Sequence, residues 1–338
     1  PTPIPLHAEM HRACVDARIA CFLEKPPTLD PAELEAMIAI DGRAKKQTAV
    51  GFNNITESAR IRVKQRLLAG EFGPIKRASC SALWGRPTTY FRRAPWAGRL
   101  LIGERLVLDS CFGNAMAHFV HTMLFWMGAS ELFSWGKVRE VEAELYRANA
   151  IEGPDTFFVE ATIEQVPLRF AFSHAGARGN HHCEIIECER ATLNYVVGVS
   201  CDIRWKDGRR ELIEQPPLEV PLSNHLDYFS YLRGTRARPV TTLEDTRPFV
   251  QLNALAYLSC DKITDIPSAH LRRIVDSEGY EFIALKNWEE ISNDFLASGL
   301  WPSTTAFRHQ CFRRRVGVAD LPSLHAQLWK NATPRASS

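Results

Sequence analysis

The sequence lacks the features that mark membrane, nucleic-acid-binding and disulfide-bonded proteins. None of its 338 residues lies in an apolar run of membrane-spanning length, because the longest candidate, 115–127, contains His118, His121 and Thr122. Its 41 basic and 39 acidic residues nearly balance, so no nucleic-acid or membrane partner is expected. Its nine cysteines are scattered, without a Cys-x-x-Cys pair, which favours a reduced, cytoplasmic protein without a metal site.

The sequence also lacks a GxGxxG motif, the fingerprint of the first βα turn in dinucleotide-binding folds. It has no initiator Met, and residues 1–7 do not combine a basic segment with an apolar one as a signal peptide does. We therefore expect the chain to begin inside a loop.

The first fifty residues carry a regular pattern of helix and strand signals. Residues 7–18 have apolar positions at helical spacing, and 19–23 are wholly apolar, which suits a strand buried on both faces. Asp30 precedes a proline at the first helical position, so a helix is predicted over 31–44, followed by a second buried strand over 47–52. Strand, helix and strand at this spacing predict a βαβ unit of a doubly wound parallel sheet.

The pattern changes after a further helix at 58–69. Successive strand signals with few helices between them predict a large, mostly antiparallel sheet, with helices covering one face. The predicted strands are 75–83, 157–165, 168–173, 182–189 and 195–203, and the predicted helices are 115–127, 225–232, 247–259 and 288–297. The fold class expected is α/β: a partial Rossmann domain at 1–53, an α+β domain with an open sheet at 54–330, and a disordered tail at 331–338.

Two features could carry chemistry. Lys25 ends a predicted parallel strand, where open α/β sheets bind ligands, although a solvated turn lysine is an equally simple interpretation. Asn114, His118 and His121 fall at i, i+4 and i+7, so they share one helix face and could form an acid–base group. The alternative is a core helix whose histidines satisfy buried polar groups.

Taken together, the motifs resemble the Gfo/Idh/MocA family of oxidoreductases. The resemblance covers about residues 1–130 by motif and the remainder by general pattern. In order along the chain, the matching segments are Thr2-Pro3 with His7, Glu24-Lys25-Pro26, Val50-Gly51-Phe52-Asn53, Gly70-Glu71-Phe72-Gly73-Pro74-Ile75, and Asn114, His118 and His121 followed by Gly128.

The resemblance implies an NAD(P)-dependent dehydrogenase or reductase acting on a CH–OH group of a sugar, polyol or related hydroxy compound. It implies that Lys25 bonds the reacting oxygen and that His118 is the general acid–base, with Asn114 beside it. Thr2, Pro3, His7, Glu24 and Lys25 are then the residues on the nicotinamide side. The resemblance also implies a homodimer or homotetramer formed through the C-terminal sheet.

Some positions depart from the family pattern. Asn114 stands where many members have Asp, and His121 stands where the family usually has Asp. His121 and Asp109 are candidate substrate-binding residues. Asp109, in the preceding loop, is a candidate for the missing carboxylate, or simply an acidic residue favoured at a helix N-terminus. Arg92, Arg93 and Trp96 could bind a substrate hydroxyl or acid group, although a surface loop explains them equally well.

The absent GxGxxG motif leads us to expect an N-terminally truncated member that lacks the pyrophosphate and adenosine sites. The sequence does not decide between NAD and NADP. Two other functions stay open: a glycoside hydrolase of the same fold that uses bound NAD, and a non-catalytic binding or regulatory member.

Overall fold

The computed structural model describes residues 2–217, 220–308 and 311–332. Its helices are α1 (His7–Asp16), α2 (Pro31–Asp41), α3 (Ser58–Leu68), α4 (Ala117–Met127), α5 (Val220–Leu232), α6 (Arg247–Ser259), α7 (Trp288–Ser298) and α8 (Leu324–Ala332). Its strands are β1 (Phe22–Leu23), β2 (Ala49–Val50), β3 (Ile75–Trp84), β4 (Leu101–Ile102), β5 (Arg105–Leu106), β6 (Val138–Arg147), β7 (Thr156–Ile163), β8 (Val166–Ser173), β9 (Asn180–Cys188), β10 (Ala191–Val196), β11 (Ser200–Trp205), β12 (Arg210–Glu214), β13 (Thr264–Asp265), β14 (Leu271–Val275), β15 (Glu281–Leu285) and β16 (Val316–Gly317).

The predicted βαβ unit is confirmed. Strands β1 and β2 pair in parallel, and α2 connects them. The Asp30 carboxylate caps α2 by accepting hydrogen bonds from the backbone N–H groups of Ala32 and Glu33. The expectation that 19–23 is buried throughout is wrong: Ile19 is 61% exposed, because the strand begins only at Phe22.

The large sheet is mostly antiparallel, as predicted. Its strand order is β12-β11-β10-β9-β3-β8-β7-β6-β13, and β16 also pairs with β6. The parallel pairs are β3 with β8 and β6 with β13. The predicted single strand at 195–203 is wrong, because Gly198 adopts a φ of 74° and turns the chain between β10 and β11.

The helices do not all cover one face of the large sheet, which corrects the prediction. Successive residues of β7, Phe157 and Phe158, are both fully buried, so both faces of this strand are apolar and need cover. Phe157 belongs to the core that includes α4 and α6, and Phe158 packs with α7 through Phe295. Helix α5 packs on the small sheet instead, where Tyr228 lies beside Phe22.

The sequence pattern did not predict β6, because charged residues interrupt its apolar run. Glu144 interrupts its apolar run but is fully buried, and it accepts hydrogen bonds from Tyr146 Oη and from the backbone N–H of Ser303. Arg313 also forms an ion pair with Glu144. These partners satisfy a carboxylate inside the sheet, which single-sequence patterning treats as a loop residue.

A buried ionic cluster fastens α3 and α4 to the large sheet. The Glu184 carboxylate on β9 accepts hydrogen bonds from Arg60 Nη1 at 2.7 Å, Trp126 Nε1 at 2.6 Å and Thr122 Oγ1 at 2.7 Å. Burial alone would raise the pKa of Glu184, but Arg60 holds that pKa well below its usual range. The cluster fixes α4, which carries His118, against the sheet.

Among the described residues, no helix is long and apolar enough to span a bilayer. Residues 331–332 of the predicted disordered tail end α8, and residues 333–338 lie outside the described residues.

Candidate active site

The structure brings Lys25 against the segment that precedes α4. Lys25 follows β1, and its Nζ donates to the backbone carbonyl of Asn114 at 2.6 Å and approaches Asn114 Oδ1 at 3.4 Å. The prediction placed Asn114 on the same helix as His118. The structure instead places it in a π-helical turn over Cys111–Ala115 that precedes α4. A side chain at Gly113 would place its Cβ 2.9 Å from Asn253 Oδ1, so this turn depends on glycine.

Lys25 is electrostatically unusual. Burial lowers its pKa to about 8, with Arg86 adding to the effect and Glu24 and Asp109 opposing it. An amine with this pKa exchanges a proton readily near neutral pH, whereas an exposed lysine stays charged.

His118 lies one residue into α4, partly buried, with its ring 5.7 Å from that of Phe52. Burial, and then the charge of Lys25, hold the pKa of His118 well below its usual value. Its Nδ1 is buried and has no hydrogen-bond partner among the described residues. The ring is therefore a neutral imidazole, with a nitrogen able to accept a proton.

Asp109 orients the side chain of Asn114. Asn114 Nδ2 donates to Asp109 Oδ1 at 2.7 Å, which turns the amide oxygen toward Lys25. The other Asp109 oxygen accepts from the Gly98 backbone at 2.8 Å and pairs with Arg93 at 3.4 Å. The structure thus places the loop carboxylate next to Asn114, and its role in catalysis stays a prediction.

His121 lies in the core. It is fully buried, stacks on Phe52 at a centroid distance of 3.9 Å and lies 4.9 Å from the Trp135 ring. Burial holds the pKa of His121 well below its usual value. Its contribution to substrate binding stays a prediction, without an exposed surface to support it.

The candidates on the nicotinamide side gather at the end of β1. The His7 ring bridges two carbonyls, at 2.9 Å from that of Pro26 and 3.0 Å from that of Thr2, and so ties the N-terminal segment to the strand end. Pro3 precedes the short 3-10 helix over Ile4–Leu6. Glu24 is exposed beside Gly51, the residue that follows β2.

Sequence reasoning missed Arg86. Its guanidinium lies over the rings of Trp84 at 4.0 Å and Tyr90 at 4.5 Å, just beyond the end of β3. Arg93 lies over the same Tyr90 ring at 3.8 Å and over Trp96 at 4.6 Å. The sequence signal available was a Trp-Gly-Arg run at a strand end.

His174 is the other residue that sequence reasoning missed. It is buried, its Nδ1 donates to the Trp84 carbonyl at 2.8 Å, and its ring lies 5.8 Å from that of Tyr90. Burial, together with Arg86 and Arg93, lowers its pKa to about 3. Arg92, by contrast, is exposed on the short helix over Thr88–Arg92.

Within the described ranges, no three His, Cys, Asp or Glu side chains are placed to hold one metal ion.

Comparison with known proteins relates the chain to others by structure rather than by sequence. No protein-family model matches it, and no curated protein sequence matches it. An NAD binding oxidoreductase from Klebsiella pneumoniae is 17% identical, with a TM-score of 0.65 over 77% of this chain and 76% of that chain. An oxidoreductase from Agrobacterium radiobacter in complex with NAD+, L-tartaric acid and magnesium is 18% identical, with a TM-score of 0.62 over 76% and 75%.

The WlbA dehydrogenase from Bordetella pertussis, in complex with NADH and UDP-GlcNAcA, is 21% identical, with a TM-score of 0.61 over 76% of this chain and 74% of that chain. At these identities the likeness concerns the fold alone. The chain therefore shares the fold of these NAD-dependent oxidoreductases, as the resemblance found in its sequence led us to expect.

Proposed function

We propose that the chain is a Gfo/Idh/MocA-type oxidoreductase that transfers hydride between NAD or NADP and a CH–OH group of a sugar, polyol or related hydroxy compound. The observation that carries the proposal is the placement of Lys25. Its amine lies at the end of a parallel strand, bonded to Asn114 and coupled to the neutral ring of His118. This is an acid–base pair at the position where open α/β sheets bind ligands.

The polar groups at the end of β1 fit the nicotinamide end of such a cofactor. Among these polar groups, the exposed Glu24 carboxylate is an acceptor for hydrogen bonds donated by ribose hydroxyls, and the segment containing Thr2, Pro3 and His7 lies alongside. The orphaned Nδ1 of His118 is a further buried polar atom that a ligand would satisfy. When bound, the nicotinamide supplies the hydride acceptor or donor.

The protein residues then act on the substrate hydroxyl group, by removing its proton and stabilising its oxygen. As an ammonium, Lys25 donates to the substrate oxygen and stabilises negative charge that develops there during oxidation. The neutral ring of His118 accepts the hydroxyl proton. Burial, and then the positive charge of Lys25, lower the pKa of His118 and so keep the ring neutral before it accepts this proton. Asn114 positions the Lys25 amine, and Asp109 positions Asn114.

The test uses the purified full-length protein and three variants: Lys25→Met, His118→Asn and the control Lys76→Met. Lys76 is an exposed lysine paired only with Glu189 on the surface, so its loss should not affect the reaction. NADH and NADPH binding are measured by tryptophan fluorescence, and turnover by absorbance at the nicotinamide band across a panel of polyols. We expect Lys25→Met and His118→Asn to lose roughly 10²–10⁴ of kcat with cofactor binding retained.

A full-length wild-type protein that binds neither NADH nor NADPH would refute the proposal. Glycoside turnover without net NADH production would instead select the hydrolase alternative. Cofactor binding with no turnover in any protein, and a cellular function unaffected in both site variants, would select the non-catalytic alternative.

We also propose that copies of the chain associate as a dimer or tetramer through the large sheet, and that the protein is cytoplasmic. The first is supported by Leu212 on edge strand β12, which is 57% exposed. The second is supported by nine free thiols. A monomeric mass in light scattering would contradict the association. The domain division at residue 53 also stays a proposal. The Val50 N–H of the small sheet donates to the Thr241 carbonyl at 2.9 Å, so a residue from the C-terminal part of the chain contacts the proposed N-terminal domain.

A further inference from the structure

Arg86 carries a positive charge that no carboxylate of the described residues pairs with. The part of the chain that the structure describes places no carboxylate against its guanidinium, whose contacts are the faces of Trp84 and Tyr90. Its Nε is buried and has no hydrogen-bond partner among those residues. Arginine side chains are normally buried only with a partner, because removing a charge from water costs several kcal/mol per ion.

The neighbourhood adds positive charge. Arg93 lies on the same Tyr90 ring, so two guanidinium groups flank one aromatic side chain. Of these two, only Arg93 has an acidic neighbour, Asp109, and that contact is long at 3.4 Å. The Asp109 carboxylate is already engaged by Asn114 and the Gly98 backbone. Cation–π contacts fix the planes of both guanidinium groups. Arg93 already donates from Nη1 to the Tyr90 carbonyl at 3.0 Å and from Nη2 to Asp109, so among the described residues the N–H edge of Arg86 is the one of the two that stays free for a ligand.

This cationic pair connects to the candidate catalytic lysine through consecutive contacts. Arg86 and Arg93 share Tyr90, Arg93 pairs with Asp109, Asp109 bonds Asn114, and Asn114 bonds Lys25. The charge of Arg86 also contributes to lowering the pKa of Lys25, so the two cations lie within electrostatic range.

Arg86 is reachable from solvent. It lines a cleft of about 490 Å³ together with Trp84, Tyr280 and Phe282. This volume is in the range of small-molecule sites, and an aromatic rim suits the apolar face of a sugar ring or chain.

Arg178 and Glu278 also line this cleft, and they form an ion pair with each other at 3.0 Å. Lys25 and His118 do not line it, so the series of contacts from Arg86 to Lys25 is what connects the cleft to the candidate catalytic residues.

We propose that Arg86, with Arg93, binds an anionic group, carboxylate or phosphate, on the hydroxy substrate, so that the enzyme acts on an acid or a phosphate ester rather than on a neutral polyol. This inference rests on the proposed function, because it assigns the substrate class of the same site. A bidentate oxyanion satisfies the planar guanidinium edge, and the residues already present hold that edge in place.

The test compares three ligands with the same six-carbon polyhydroxy chain and different terminal groups: D-glucitol (neutral), D-gluconate (a carboxylate) and D-glucitol 6-phosphate (a phosphate ester). Binding to the wild-type chain is measured by calorimetry without cofactor, with inorganic phosphate as a competitor. We expect at least one acid to bind about ten- to hundredfold more tightly than D-glucitol, the ratio that one charged hydrogen-bonding contact supplies. Whether D-gluconate or the phosphate ester is preferred identifies the anion.

Arg86→Gln should remove most of this preference by weakening the binding of the acid, whereas Arg86→Lys should keep part of it. The matched control is Arg99→Gln, which removes an exposed arginine of the same loop whose acidic partner is Glu152. Thermal unfolding confirms that each variant is folded. Full preference in Arg86→Gln, or no preference for either acid in the folded wild-type chain, overturns the inference.

NADH binding is measured separately on the same preparations. If the wild-type chain binds neither nicotinamide cofactor but still shows an acid preference that depends on Arg86, the proposed function fails and the anion site stands. If the cofactor binds and the acid preference is absent, the substrate class proposed here is wrong and the oxidoreductase proposal stands.

Discussion

Replacing Asn114 by Asp should raise the pKa of Lys25. The amine lies 3.4 Å from Asn114 Oδ1, so the substitution puts a carboxylate oxygen where a neutral one now stands. At an effective dielectric of about 20, a full charge at that distance is worth roughly 5 kcal/mol, an upper limit of between three and four pKa units.

Asp109 reduces that effect. Its Oδ1 lies 2.7 Å from the amide nitrogen that the substitution turns into a second carboxylate oxygen. Two carboxylates this close share a proton, so position 114 carries only part of a negative charge near neutral pH. The expected rise in the pKa of Lys25 from about 8 is therefore roughly one to two units.

The measurement is the pH dependence of Lys25 acetylation by trace acetic anhydride, read by mass spectrometry, which reports the amine without requiring turnover. Lys76 serves as an internal exposed reference. Asp109→Asn alone removes a charge that raises the pKa of Lys25, so it is the reference for the double variant that carries both substitutions. With Asn at position 109 the introduced carboxylate no longer shares a proton, and the rise from Asp109→Asn to the double variant should be larger than the rise from wild type to Asn114→Asp. A Lys25 pKa that stays at or below that of the wild type in Asn114→Asp would show that Asn114 does not set the charge of the amine.

Two further predictions concern the contacts that hold α4 in place. Glu184→Gln removes one of two buried carboxylates paired with Arg60 and leaves the other, Glu57, so it should lower the free energy of unfolding in urea by about 3 kcal/mol, the lower end of the range for a broken buried pair. Glu211→Gln, at a partly exposed ion pair, should cost under about 1 kcal/mol. Lys64 is buried against the carbonyls that end α4, and burial lowers its pKa to about 7. Because the unfolded chain binds that proton up to about pH 10, wild-type stability should rise between pH 7 and 10 relative to Lys64→Met; parallel urea titrations that show no such difference would contradict the assignment.

The sequence was sufficient for those parts of the fold whose signals are local. The Asp30 cap, the apolar runs at 19–23 and 47–52 and the turn at Gly70 are written in neighbouring residues, and each marks an element that the structure contains. The face that each helix covers is not local. Helix α7 packs on the face of the large sheet opposite α4 because β7 is apolar on both faces. The apolar run of β7 shows in the sequence, but the run does not tell which helix covers which face.

The candidate site divides in the same way. Lys25 and His118 were found from the order of the motifs. They are 93 positions apart in the sequence, and only the fold brings them to the same site. Arg86 belongs to no motif, and its importance depends on the fact that none of the described residues places a carboxylate against its guanidinium, a tertiary property that composition does not reveal. The π-helical turn at 111–115 is likewise invisible to helical periodicity, which placed Asn114 on α4.

The departure at Asn114 and the unpaired Arg86 have one explanation if the substrate is an anion. A carboxylate at position 114 would lie against Lys25 and add to the charge of Asp109, giving the cations of the site a second internal partner. A neutral amide still orients Lys25 through its oxygen and stays bonded to Asp109 through its nitrogen, yet leaves Lys25, Arg86 and Arg93 with a surplus of positive charge. A carboxylate or phosphate of the substrate neutralises that surplus. We therefore expect the substrate to carry the negative charge that is absent at position 114.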